Sequence, residues 1–169
     1  ATALKVRVAG HVGAFLDSDL VPSEEMGLAW WMAEVMGDPT LYAYLRWRCE
    51  LVAGLVREIR AALPPRVLLG VIPTQRRPVS AGWIEGHDLH LLAEAADFLE
   101  LSFYLTGPEA IRCDAWDLRR RMGSQAPLRC VLRPATPDLE SAGDVAAAIT
   151  AVRQQGYQDI SFYNYGRMR

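Results

Sequence analysis

Apolar positions along the chain alternate between two periods. Short runs with a period of two, or with no polar break, are separated by longer stretches in which apolar residues recur every three or four positions. The strand-like runs are residues 4–10, 67–72, 98–105, 128–133 and 160–165. The helical stretches are 26–36, entered through Pro22 and Ser23, and then 38–63, 88–96, 109–122 and 139–155. In the second of these, Leu41, Tyr44, Leu45, Val52, Leu55, Val56, Ile59 and Leu63 mark the apolar face, and Pro64-Pro65 ends it. Strands separated by helices predict right-handed crossovers and a largely parallel sheet, so the fold class is α/β.

The strands also differ between their two faces. The run 67–72 is continuously apolar and predicts a strand buried on both sides. In 98–105, Leu99, Leu101, Phe103 and Leu105 share one face, and Glu100, Ser102 and Tyr104 share the other. Arg129, Val131 and Arg133 form one face of the next strand; Ser161, Tyr163 and Tyr165 form one face of the last. Polar groups on a second sheet face suit a barrel interior, provided that they pair, and Glu100 with Arg129 or Arg133 is the expected pair. A full (β/α)8 barrel takes about 250 residues, whereas this sequence has 169 and about five strands. The expected architecture is one α/β domain over residues 1–169, the later part of a barrel whose earlier strands lie elsewhere. A flavodoxin-like open sheet is the alternative.

Composition narrows the function classes. With 18 Lys+Arg, 20 Asp+Glu, a net charge of −2 and 51% hydrophobic residues, the chain is neither disordered nor a disulfide scaffold. A sequence pI near 5.9 gives no broad footprint for nucleic acid. The basic run Arg119-Arg120-Arg121 is expected at a helix end, facing water and complementing the dipole. Cys49, Cys113 and Cys130 are odd in number and lack metal-site spacing, which predicts reduced thiols and a cytoplasmic location. No run is long enough to cross a bilayer and no secretory signal opens the sequence, so no membrane partner is expected.

Candidate chemistry is sparse. Gly10-His11-Val12-Gly13 lacks the third glycine of a dinucleotide loop and the Gly-Lys-Ser/Thr of a phosphate loop. His87, Asp88 and His90 cluster, but Asp88 reads as a helix cap, so neither a metal nor a cofactor is expected. No Gly-x-Ser-x-Gly elbow is present. Ligands of parallel α/β folds bind outside the carboxyl ends of the strands. Those ends carry Pro73, Thr74, Gln75 and Arg76, then Tyr104, Arg133, Tyr163, Asn164 and Tyr165. Flat aromatic faces beside amide and guanidinium donors suit a carbohydrate-like small molecule. Glu100, Asp17 and Asp19 are the candidate catalytic carboxylates, since glycoside cleavage needs two, about 5–9 Å apart.

Some strings carry a family likeness. Residues 45–52, Leu-Arg-Trp-Arg-Cys-Glu-Leu-Val, lead through Ile-Arg-Ala-Ala-Leu to the strand at 67–73. With residues 88–97 and Phe162-Tyr163-Asn164-Tyr165-Gly166, this resembles the last units of a poorly characterised TIM-barrel, glycoside-hydrolase-like group, over residues 40–167. The resemblance implies a barrel with a carbohydrate-type cleft at the strand carboxyl ends. Such barrels hold part of their catalytic set on early strands, which this sequence lacks. The competing expectation is a non-catalytic α/β module that self-associates as a homo-oligomer through open sheet edges, with Trp30-Trp31 as anchors.

Overall fold

The computed structural model describes residues 23–74 and 76–163. The expected strand at 4–10, the glycine pair at 10 and 13, and Asp17, Asp19, Gln75, Asn164 and Tyr165 lie outside the described residues. The chain divides into two compact units, Ala1–Arg48 and Cys49–Arg169. In the first, helix α1 (Glu24–Gly37) begins where Ser23 Oγ accepts the Met26 N–H at 3.3 Å. Asp38 Oδ1 accepts the Thr40 N–H at 2.8 Å and so starts α2 (Pro39–Ala62), whose first residue has no N–H to leave unpaired. The unit boundary falls within α2.

The second unit holds a four-stranded parallel sheet, β1 (Gly70–Val71), β2 (Phe98–Ser102), β3 (Leu128–Leu132) and β4 (Ile160–Phe162). Spatial order follows chain order, with no reversal among the described strands. A 3-10 helix (Val79–Glu85) and α3 (Leu89–Ala95) connect β1 to β2; α4 (Pro108–Met122) and α5 (Ala142–Gln154) make the next two crossovers. Asp88 caps α3 as its sequence position suggests, accepting the His90 and Leu91 N–H groups. The last helix starts at Ala142, not at Leu139, because Ser141 and Asp144 form a reciprocal capping box there.

One face of the sheet is the core. Leu99, Leu101, Phe103, Leu128, Cys130 and Leu132 pack with Leu92 of α3, Ile111, Ala115 and Leu118 of α4, and Ala148 and Val152 of α5. Burying each large apolar side chain stabilises the fold by roughly 1.5–3 kcal/mol. Tyr157 closes the cluster, edge-on to Phe103, with its hydroxyl donating to the Ala115 carbonyl at 3.2 Å. Burial pushes the Cys130 thiol up to about 12, so it is an inert core group.

Two expectations need correcting. The run 67–72 does not form a strand buried on both faces: β1 is two residues long, and Val67, Leu68 and Ile72 are exposed. Its start is claimed by Asp97, whose Oδ2 accepts the Leu69 N–H at 2.7 Å and pairs with Arg60 at 3.1 Å. Gly70 is fixed by close approach, since a Cβ there would lie 2.3 Å from the Phe98 ring, which the Arg129 guanidinium covers at 3.6 Å. Nor does the whole basic run simply face water. Arg120 and Arg121 pair with Asp117, but Arg119 turns back, donating from Nη1 to the Gly123, Ser124 and Ala126 carbonyls at 3.2 Å. It closes the carboxyl end of α4, and its guanidinium lies 4.6 Å from the Tyr157 ring centroid. No described helix is long and apolar enough to cross a membrane.

Candidate functional site

Helices cover the leucine face of β2, so the opposite face carries the polar residues. Glu100, Ser102 and Tyr104 alternate along β2 and just beyond it, beside Arg129, Val131 and Arg133 of the β3 run. Strand pairing runs on past the regular strands: Phe103 N–H donates to Val131 O and Tyr163 N–H to Leu132 O, both at 2.9 Å. That extension brings the residues after β2, β3 and β4 to one carboxyl-end edge.

The segment after each of the four strands contributes one side chain there. Tyr104 stacks on Tyr163 with ring centroids 5.6 Å apart and planes inclined by 30°. The Arg133 guanidinium lies 5.0 Å from the Tyr104 centroid, and that of Arg77, on the segment after β1, lies 5.3 Å from it. Burial raises the Tyr104 hydroxyl above its ordinary value, although both guanidiniums oppose the shift. Tyr163 keeps 53% of its surface exposed.

The two arginines are held differently. Arg133 donates from Nε and Nη2 to the two oxygens of buried Asp138, at 2.7 and 2.6 Å. This side-on pair fixes the guanidinium and raises its affinity for its proton. Arg77 donates from Nη1 to the Arg76 carbonyl at 2.7 Å, whereas its Nε and Nη2 are buried without an acceptor among the described residues. An unpaired buried donor costs about 1–3 kcal/mol. Burial lowers the Arg77 pKa, and the charge of Asp114 is the strongest of the effects that oppose it. Asp114 is committed elsewhere: both its oxygens accept the Val79 N–H at 3.2 Å, tying the loop after Arg77 to α4.

Arg76, an expected ligand contact, pairs with Glu85 at 3.4 Å, and Glu85 also accepts the Thr74 hydroxyl. That hydroxyl bond, with the Arg76 charge, holds the Glu85 carboxyl below its usual range. Glu100 does not take either expected arginine as its hydrogen-bond partner. Arg129 pairs with Asp159 at 3.4 Å and Arg133 with Asp138, while Glu100 accepts the Ser161 hydroxyl at 3.1 Å. Glu100 precedes Tyr104 by four residues, about 13 Å along a strand. It lines a separate cavity of about 300 Å³ with Arg129, Asp159, Ile160 and Ser161. The edge therefore gathers Tyr104, Arg133 and Tyr163 and leaves Glu100 in the amino-end half of the sheet.

Arg77 was not among the sequence candidates, although its position after β1 and before Pro78 puts it in the right loop. Among the described residues no group of three or more His, Cys, Asp or Glu side chains is assembled to hold a metal. His87 Nδ1 lies 3.8 Å from Glu85, and Asp88 is occupied as a cap. Comparison with known proteins finds no matching family model, no matching curated protein and no matching solved structure.

Burial raises the Asp114 carboxyl above its ordinary value, with the Val79 N–H and Arg77 opposing. The native chain thus holds that proton more tightly than the unfolded one. This contribution to stability is full below the unfolded value and is lost as pH rises through the folded value. Asp114→Asn, which keeps an acceptor for Val79, should gain urea midpoint relative to wild type as pH rises from about 4 to 7. Asp114→Ala, which removes the acceptor for the Val79 N–H, should lose about 1–3 kcal/mol near pH 4 and less as pH rises. Parallel pH profiles for wild type and Asp114→Asn would contradict this assignment.

Proposed function

We propose that the protein binds a carbohydrate-type ligand at the carboxyl-end edge of its parallel sheet, as a sector of a glycoside-hydrolase-like barrel. The observation that carries the reading is the Tyr104–Tyr163 stack flanked by Arg77 and Arg133, one side chain from each strand end. The exposed Tyr163 ring suits the C–H face of a sugar, and the guanidiniums beside it suit hydroxyl oxygens. Unreversed order among the described strands, with helices on the leucine face and polar groups on the other, supports the barrel sector over a flavodoxin-like sheet. Glycoside cleavage would require Glu100 together with Asp17 or Asp19; the arrangement at the edge supports binding.

Isothermal titration with a panel of neutral and acidic mono- and oligosaccharides tests the reading. At least one should bind, and Tyr163→Ala should weaken it about tenfold, or about 1.4 kcal/mol, with the circular dichroism spectrum preserved. No binding across the panel, or equal binding by the variant, would overturn it.

A second reading, self-association, rests on a different observation. Leu51, Leu55 and Ile59 recur at four-residue spacing on α2 and are 53%, 58% and 43% exposed. An apolar row of this kind suits a second copy of the chain. Light scattering coupled to size exclusion should give a dimer for wild type and a monomer for Leu55→Glu. A monomeric wild type at all concentrations would remove this reading.

A further inference from the structure

Two guanidiniums flank one ring at the carboxyl-end edge, and the same edge of each carries a different load. In Arg133 the parallel N–H donors of Nε and Nη2 face the two oxygens of Asp138. In Arg77 the corresponding pair, Nε and Nη2, has no acceptor among the described residues. The nearby acids do not supply one: Asp138 is taken by Arg133 and Asp114 by the Val79 N–H. A planar pair of oxygens matches a guanidinium's side-on fork, as Asp138 demonstrates within the same cluster.

We propose that the Nε–Nη2 edge of Arg77 is a carboxylate subsite, and that the ligand class at this edge is an acidic sugar, a uronate. The inference rests on the carbohydrate reading and adds the charge of the substrate. The sugar ring lies against Tyr163, and its carboxylate takes toward Arg77 the place that Asp138 takes toward Arg133. Nε and Nη2 of Arg77 are both shielded from water, so entry of the carboxylate goes with a side-chain shift at this edge. Desolvation, which lowers the Arg77 pKa, makes a bound anion more favourable there than at a solvated arginine.

The test is titration calorimetry of the full chain with glucuronate, galacturonate, glucose, galactose and glucose 6-phosphate. At least one uronate should bind tenfold or more tightly than its neutral counterpart and more tightly than the phosphate. Arg77→Gln should bring the uronate-to-neutral ratio to about one, and Arg77→Lys, which keeps the charge but lacks the fork, should restore only part of it. Thermal melting of both variants checks that they fold; if Arg77→Gln does not, the ratio for Arg77→Lys decides. Equal affinity for uronate and neutral sugar would overturn the subsite and leave the carbohydrate reading standing. Preference for the phosphate would overturn the choice of carboxylate. Failure of every sugar, acidic or neutral, would overturn both readings together.

Discussion

A strand that carries Leu99, Leu101 and Phe103 on one face and Glu100, Ser102 and Tyr104 on the other can be covered by helices on one side only. Burying the polar face under a second helical layer would strand its hydrogen-bonding groups at a cost of several kcal/mol. The helices α3, α4 and α5 therefore pack on the leucine face, and the polar face resolves into local pairings. Ser161 satisfies Glu100, Asp159 satisfies Arg129 and Asp138 satisfies Arg133. The exceptions are Ser102 Oγ, buried without a hydrogen-bond partner among the described residues, and the carboxyl-end edge, where aromatic rings and guanidiniums stack and the Nε–Nη2 edge of Arg77 has no acceptor among the described residues.

The two ends of the sheet thus have different chemistry. Toward the amino ends the charged groups are matched and Arg129 lies over Phe98, an arrangement that holds the sheet together. Toward the carboxyl ends Asp138 and Asp114 act as positioning residues. The first orients Arg133 over Tyr104, and the second anchors the Val79 backbone two residues beyond Arg77. Rigid support beneath an exposed aromatic platform is the arrangement that a ligand contact needs, because its side chains lose little freedom on binding.

Local chemistry was legible in the sequence, and distant competition was not. Ser23, Asp38 and Asp88 cap helices where their spacing says they should, because a cap is decided within three or four residues. The length of β1 could not be read, because the Leu69 N–H is claimed by Asp97, far along the chain. Strand alternation alone matches Glu100 to arginines, but Asp159 and Asp138 are the acids that pair with them in the fold. Arg119 looked like its two neighbours until α4 placed its guanidinium among three carbonyls. Tyr104, Arg133 and Tyr163 are legible because parallel strands present their carboxyl ends together. Arg77 is not legible there, because its significance lies in acceptors that are absent among the described residues.

The claim on which the account turns is that ligand binds at the carboxyl-end edge of the sheet. Backbone amide shifts of the isotope-labelled chain, followed by NMR while a binding saccharide is titrated in, test it directly. The account predicts saturable shifts at Phe103, Tyr104, Arg133, Asp138 and Tyr163, with the amides around Asp97 and Arg129 unmoved. Shifts centred on Glu100, Arg129 and Asp159 would move the site to the amino-end cavity and contradict the account.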